Sequence, residues 1–245
     1  MNQLRWTSGR SAVLVVMLCL GSLTGRAEAQ DREEFQLWSA LLGTAATTPE
    51  TPGLSFWLDV HGRRAGNGTV VIVRPAVGAS ITPWLSVWAG YAWVPVFDDA
   101  TSNRTDEHRI WQQVILAPKL PELGLSFQSR TRFEQRFGEN GDDVGFRLRQ
   151  FVRANWQPDE SFPMGVAVWD EIFIGLNDTD WGAPKGFDQN RLFIGPFLKL
   201  SPWARLEAGY LYVVVNRDSG DLTAHTLAIN LFWSFTPSAP PPAAE

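Results

Sequence analysis

The chain has 245 residues, of which 21 are Lys or Arg and 26 are Asp or Glu, so its formal net charge is −5. This acidic balance argues against a general nucleic-acid-binding protein, whose usual signature is a basic patch. Aromatic residues are abundant, with 12 Trp and 15 Phe, yet beyond the N-terminal segment no apolar run is long enough for a membrane helix. The composition therefore excludes a helical membrane protein.

Residues 1–29 have the pattern of a secretory signal peptide. Arg5 and Arg10 form a short basic region, residues 11–20 are apolar, and the sequence AEA at 27–29 fits the A-x-A cleavage pattern. A membrane anchor is the alternative, but the apolar run is too short to span a bilayer comfortably. The segment holds three of the 21 basic residues and one of the 26 acidic ones, which leaves 18 against 25, a charge of −7. It also holds the only cysteine, Cys19, so the mature chain is predicted to lack disulfides and cysteine-based sites.

Eleven segments with the alternation and length of barrel strands follow, and none has a convincing helical period. The predicted strands are 33–44, 54–64, 69–81, 84–96, 107–117, 124–137, 144–156, 164–176, 189–200, 204–215 and 223–235. No linker or composition break divides them, so residues 30–235 are predicted to form one domain. The remaining residues, 236–245, form a Pro/Ala-rich tail that we expect to be disordered.

The connections between these strands alternate in length. Short, proline-bearing turns occur at 81–84, 117–123, 157–163 and 200–203. Longer loops rich in Asp, Asn and Gly occur at 97–106, 138–143, 177–188 and 216–221. Short turns in the periplasm and long loops outside are typical of bacterial outer-membrane barrels. Because this alternation leaves the first strand as an odd one, and single-chain bacterial barrels have even strand numbers, the sequence leaves ten or twelve strands open.

The segment 125–137, LSFQSRTRFEQRF, shows the two faces of a strand most clearly. Its even positions share one face: Ser126, Gln128, Arg130, Arg132, Glu134 and Arg136. Three phenylalanines lie on the other face. A barrel closed in lipid explains both faces, because apolar side chains meet hydrocarbon and charges line the lumen. The sequence therefore predicts an all-β fold, an antiparallel transmembrane β-barrel of 10–12 strands.

Aromatic residues near strand ends support the same fold. We assign five tryptophans to the membrane interface: Trp38, Trp84, Trp156, Trp203 and Trp233. The last strand ends on an aromatic residue, Phe235, as expected of a strand that barrel-assembly machinery recognises. A soluble sandwich with these aromatics in its core is the alternative.

An ordered set of short motifs extends over nearly the whole mature chain. The set comprises Glu107-His108-Arg109, Trp111-Gln112, Arg130-Thr131-Arg132-Phe133-Glu134, Arg147-Leu148-Arg149, Glu171-x-Phe173, and Asn190-Arg191 before Gly195, with Gly90-Tyr91 and Gly209-Tyr210. This set resembles the bacterial family catalogued as domain of unknown function 2490. The resemblance implies an outer-membrane β-barrel, and it implies no activity, because the family is not assigned one.

The alternation along the strands places a network of charged side chains in the lumen. This network is the candidate site. Its members are Glu107, Arg109, Arg130, Arg132, Glu134, Arg136, Arg147, Arg149, Arg153, Glu171, Arg191, Arg205 and Glu207. Asp59, Arg63 and Arg74 are further inward candidates, which gives eleven arginines and five acidic residues. Either the glutamates each bridge several arginines and brace a largely closed lumen, or the surplus positive charge lines a narrow path that prefers anions.

We expect a structural role or a narrow solute path in the outer membrane of a Gram-negative bacterium, in contact with lipid and lipopolysaccharide and without a cofactor. An outer-membrane lipid hydrolase and a secreted ligand-binding β-sandwich are the alternatives. Catalysis would need Ser, His and an acid within hydrogen-bond reach, and no spacing ties Ser126 or Ser129 to a histidine. By parity His61 faces inward, whereas His108 and His225 face lipid. The acidic loops lack the full ligand spacing of a calcium loop, so we expect solvated charge there and no metal site.

Overall fold

The computed structural model describes residues 32–47, 53–66, 68–159, 161–217 and 220–236. The predicted signal peptide lies outside the described residues, as does the predicted tail after Thr236. In the part of the chain that is described, no helix is long and apolar enough to cross a membrane. The helical element found there is a three-residue 3-10 turn, Pro121–Leu123.

The described residues form one sheet that closes on itself. Its strands are β1 (Arg32–Ala46), β2 (Gly53–Ala65), β3 (Gly68–Thr82), β4 (Leu85–Asp98), β5 (Arg104–Leu116), β6 (Lys119–Leu120), β7 (Leu125–Gly138), β8 (Val144–Trp156), β9 (Met164–Gly175), β10 (Gly186–Ser201), β11 (Ala204–Val215) and β12 (Leu222–Phe235). Because β6 has only two residues, eleven long strands make the wall. All eleven predicted strands are confirmed, and their bounds differ from the predicted ones by at most three residues.

The wall closes through one parallel pair of strands. Strands β1 to β5 pair antiparallel in sequence order, β5 pairs with β7, and the order continues to β12. β1 then pairs in parallel with β12, with Arg32 opposite Leu222 and Ala45 opposite Phe235. An odd number of strands can close only if two neighbours run in the same direction. The expectation of an even number was therefore wrong, although eleven lies within the predicted range of ten to twelve.

The alternation along each strand separates an apolar outer surface from an inner surface rich in charge. In β12, the outward Leu227 is 43% exposed, whereas the inward Thr226 is 1% exposed. In β7, Arg132 and Glu134 are completely buried, as their predicted inward positions require. Because the sheet buries these side chains by closing on itself, the two-sheet sandwich alternative is wrong.

Four tryptophans mark the end of the barrel where the short turns lie. Trp84, Trp156, Trp203 and Trp233 are 45–54% exposed, and each lies at or near the end of a strand. This position is typical of side chains at a membrane–water interface. The fifth assignment, Trp38, was wrong. Its parity is that of the buried Gln36, whose amide oxygen accepts a 2.7 Å hydrogen bond from the Trp38 indole inside the barrel.

Candidate functional site

Glu134 lies at the centre of the lumen network. One of its carboxylate oxygens accepts hydrogen bonds from Arg147 at 2.6 and 2.9 Å, and the other accepts one from Arg149 at 2.7 Å. The guanidinium of Arg132, from the same strand, is 3.8 Å away and is also completely buried. Three guanidinium groups therefore surround one buried carboxylate, which is the bridging arrangement that the sequence suggested.

Glu171 forms a second bridge and is joined to the first. It accepts hydrogen bonds from Arg149 at 2.7 and 3.1 Å and from Arg130 at 2.7 Å, and Arg191 lies 3.8 Å away. Because Arg149 contacts both Glu134 and Glu171, these two carboxylates and their arginines form one continuous lattice. Charge-assisted bonds of this kind are the stronger ones in proteins.

The two remaining glutamates each hold a pair of arginines. Glu107 accepts two hydrogen bonds from Arg109, at 2.8 and 3.0 Å, and two from Arg136, at 2.5 and 3.1 Å. Each guanidinium thus uses its planar fork on the same carboxylate. Glu107 lies near the end of the barrel where the long loops begin, because it is the fourth residue of β5.

Glu207 carries the network across the lumen. It is completely buried, it contacts Arg153 directly, and Arg205 lies 3.8 Å away. Arg153 belongs to β8 and Glu207 to β11, and these strands are separated by two others in the sheet. Their contact therefore reaches across the interior and narrows it.

All thirteen residues of the predicted network lie on the inner face, and each is within 4 Å of at least one other member. Sequence reasoning missed Asp188, which accepts a 2.8 Å hydrogen bond from Arg147. The sequence placed Asp188 in a long loop, but it lies in β10 beside a register shift between Phe187 and Gln189. Counting alternate positions cannot foresee such an irregularity.

Aromatic rings cover several of these guanidinium groups. Arg132 lies 4.1 Å from the ring centre of Trp111, and Arg149 and Arg191 lie 4.4 and 4.3 Å from that of Phe173. Trp111 and Phe173 are buried to 1% exposure or less. The negative ring faces stabilise these buried cations. This matters most for Arg132 and Arg191, because the carboxylates paired with them lie 3.8 Å away. The signal was present in the sequence, because both rings have the parity of a neighbouring lumen charge.

A smaller cluster occupies the opposite wall, on β2 and β3. Arg74 donates to Asp59 at 2.7 Å, and another of its nitrogens lies 2.7 Å from Nε2 of His61. Nε2 of His61 also lies 3.4 Å from the carboxylate of Asp59, so the three side chains form one polar cluster on the inner face. The inward direction predicted for His61 is therefore correct.

The two clusters enclose a cavity of about 310 Å³. Glu171 is the carboxylate in its wall. Five arginines also line it: Arg63, Arg74, Arg130, Arg149 and Arg191. Aromatic rings, including those of Trp38, Trp57 and Trp169, form much of the remaining surface. The cavity therefore combines excess positive charge with apolar walls.

The model of the family described as "Protein of unknown function (DUF2490)" matches residues 35–224. The chain belongs to this family. An uncharacterized protein of Methylorubrum extorquens is 36% identical over 229 residues, which cover 90% of this chain and 96% of that relative. A structural match to LpxR from Salmonella typhimurium covers 74% of this chain and 83% of the LpxR chain, with a TM-score of 0.42 and 10% identity. This likeness to LpxR is weak and assigns nothing to the chain. The resemblance to the DUF2490 family is confirmed.

The outer wall of this family member has two Tyr–His pairs of similar geometry. The Tyr210 hydroxyl lies 2.6 Å from Nδ1 of His225, and Tyr91 makes the same contact with His108. Both histidines face outward as predicted. Among the described residues, neither ring is hydrogen-bonded to a serine, so the Ser–His arrangement that a hydrolase of the Ser–His type needs is not formed at these positions.

Acidic residues of two long loops hold those loops together. Asp180 accepts hydrogen bonds from the backbone N–H groups of Asp142 and Asp143 at 2.9 and 3.1 Å, and Asp143 accepts one from the backbone of Asp180 at 2.9 Å. These N–H donors stabilise the carboxylate and lower the pKa of Asp180 below its ordinary value. Part of the loop charge therefore has a structural role in addition to being solvated.

Proposed function

We propose that the protein is an integral outer-membrane β-barrel of a Gram-negative bacterium, whose lumen is braced and largely closed by the Arg–Glu network. The opposite character of the two faces carries this proposal. Leu58 on β2, Val152 on β8 and Ile194 on β10 are 51–54% exposed, whereas the inner face buries arginine and glutamate. In water such an outer surface would be an unusually large apolar patch. Hydrocarbon suits it, and among the described residues each long strand is paired on both sides.

The two ends of the barrel support one orientation in the membrane. Exposed tryptophans lie at the end with the short turns, and the Asp-rich loops lie at the other end. Short turns facing the periplasm and long loops facing outward are the usual arrangement. We infer that lipid contacts the apolar wall, that the acidic loops meet the lipopolysaccharide layer, and that the final strand, which ends at Phe235, is presented to the assembly machinery.

Contacts between strands that are not neighbours support a closed lumen. Arg130 on β7 reaches Glu171 on β9, Arg147 on β8 reaches Asp188 on β10, and the Arg153–Glu207 contact spans still further. These bonds fill the interior with paired side chains. This arrangement therefore favours a structural role in the envelope over a pore through which solutes diffuse freely.

A narrow path that prefers anions is the second candidate, and the charge balance of the lumen favours it. Eleven arginines face five predicted acidic residues and Asp188, so positive charge exceeds negative charge by five. Rings of arginine favour anions in protein pores. This candidate and the closed lumen predict different electrical behaviour.

Conductance of the purified protein in planar bilayers separates the two candidates. A braced lumen predicts no stable current of porin size, and any small current should be carried by anions. Stable currents of porin size would contradict the closed lumen. Selectivity for cations would contradict the anion path.

Labelling of single cysteines tests the membrane assignment itself. The one natural cysteine, Cys19, lies in the predicted signal peptide, so the mature chain should carry no competing thiol. A bilayer-soluble maleimide should label a Leu227→Cys variant and spare Thr226→Cys, because these neighbours are 43% and 1% exposed on opposite faces. Equal labelling of both variants, or extraction of the protein without detergent, would contradict the assignment.

A further inference from the structure

We propose that the lumen cavity beside Arg63 is a binding site for a small organic carboxylate with an apolar body. The inference rests on the proposed function in that the cavity is taken to lie inside the barrel. Its volume of about 310 Å³ is at the lower end of the range for ligand pockets and admits one small molecule.

Arg63 is the group that lacks a counter-charge. Its Nε is buried without a hydrogen-bond partner, and within the described residues no carboxylate forms an ion pair with its side chain. Its guanidinium lies 4.2 Å from the ring centre of Trp38, and the charges that act on it most strongly are those of other arginines, led by Arg191 and Arg74. Arg63 is partly buried, and a cation there is destabilised by its arginine neighbours unless an anion accompanies it.

Two more arginines that line the same cavity have incomplete hydrogen bonding. The Nε groups of Arg130 and Arg191 are buried without hydrogen-bond partners, and the Arg191 residue is 7% exposed. The carboxylate in the cavity wall, that of Glu171, already accepts hydrogen bonds from Arg130 and Arg149. An anionic ligand would therefore meet guanidinium groups whose hydrogen bonding is incomplete, and it would not have to displace this carboxylate.

The rest of the wall specifies the body of the ligand. Rings of Trp38, Trp57, Phe151 and Trp169 line the cavity together with Leu211. Ligand pockets combine such apolar surface with a few polar groups that fix orientation. The planar fork of arginine matches a carboxylate with two parallel hydrogen bonds. An aromatic carboxylate satisfies both the cationic and the apolar parts of this cavity.

Calorimetric titration with benzoate and its neutral isostere benzamide tests the proposal on the unmodified mature protein in a non-ionic detergent. We expect saturable benzoate binding and benzamide binding that is about tenfold weaker or more, because a hydrogen bond to a charged group is lost. Equal affinity for the two molecules would overturn the proposal, since the site would then be merely apolar. This comparison needs no variant, so it does not depend on how a substitution folds.

Arg63→Gln and Arg64→Gln are matched variants on neighbouring positions. Arg64 points away from the cavity and pairs with Asp99 at 2.5 Å on the exposed surface. We expect Arg63→Gln to weaken benzoate binding about tenfold or more and Arg64→Gln to leave it unchanged. Unchanged binding in Arg63→Gln, in a preparation that shows the gel mobility of a folded barrel, would overturn the proposal.

The result is separable from the test of the membrane assignment. If Leu227→Cys is labelled from the bilayer and benzoate does not bind, only the ligand proposal fails. If benzoate binds and the protein is extracted without detergent, the membrane assignment fails and the ligand proposal stands.

Discussion

Substitution of Glu134 by Gln tests whether the lumen network holds the barrel together. The substitution keeps the shape of the side chain and removes its charge. Arg147 and Arg149 then lose a carboxylate that lies 2.6 and 2.7 Å away, and Arg132 loses one at 3.8 Å. All four groups are at most 6% exposed in their side chains, so water cannot replace the missing charge without a rearrangement of the interior.

The expected loss follows from the remaining partners of these arginines. Removal of one partner from a buried ion pair typically costs about 3–5 kcal/mol. Arg147 keeps Asp188 at 2.8 Å, and Arg149 keeps Glu171 at 2.7 Å, so neither guanidinium is left alone. We therefore expect the lower end of that range, a fall in the free energy of unfolding of about 3 kcal/mol.

Equilibrium unfolding in detergent or lipid vesicles measures this difference, and Asp99→Asn is the control. Asp99 pairs with Arg64 on the surface, where both side chains are about half exposed, so its loss should cost less than about 1 kcal/mol. Equal unfolding midpoints for the two variants would refute the bracing argument. Such a result would mean that the arginines around Glu134 are hydrated, which would favour a water-filled path.

Two further predictions concern close packing and a loop contact. Gly209→Ala should destabilise the barrel by about 1–3 kcal/mol, because a new Cβ would lie 2.4 Å from the Ile194 carbonyl oxygen. The control is Gly62→Ala, whose new Cβ would make only an ordinary 3.4 Å contact. Equal denaturation midpoints for the two variants would contradict this prediction. The lowered pKa of Asp180 means that its contact with the 142–143 backbone persists above the ordinary pKa of about 3.9 and is lost as pH falls through the lower folded value. Amide NMR shifts of Asp142 and Asp143 should therefore change below about pH 4, and a midpoint at or above 3.9 would contradict the stabilising contact.

The side chains that line the lumen could be predicted from the sequence for two reasons. A strand has a period of two, and charged side chains are tolerated on only one of its two faces. Arg130, Arg132, Glu134 and Arg136 are unacceptable against hydrocarbon, so their positions determine the orientation of β7. Their partners could not be predicted. Which carboxylate meets which guanidinium depends on strands that are brought together by the closed wall, as with Arg153 and Glu207, 54 residues apart.

Trp38 and Asp188 show two different ways in which the sequence prediction failed. Trp38 was assigned to the interface from its residue type and its place near a strand end. Its parity places it inside, opposite Ala228 across the β1–β12 pair, where a small side chain leaves room for the indole. Asp188 was assigned to a loop because the segment 177–188 is rich in Asp, Asn and Gly. A register shift in β10 instead brings its carboxylate to Arg147.

The closure of the barrel is the feature that local sequence patterns could predict least. β1 and β12 are paired across about 190 positions of sequence, and parallel pairing follows from the odd strand number rather than from either segment. Once they meet, however, the register is well specified. Leu37 is opposite Leu227 and Leu41 is opposite Leu231, so outward apolar residues face one another along the pair. A slip by one residue would turn a whole strand inside out and place Gln36 and Trp38 against the outer surface. The period of two that makes the strands recognisable thus also fixes how the first and last of them join.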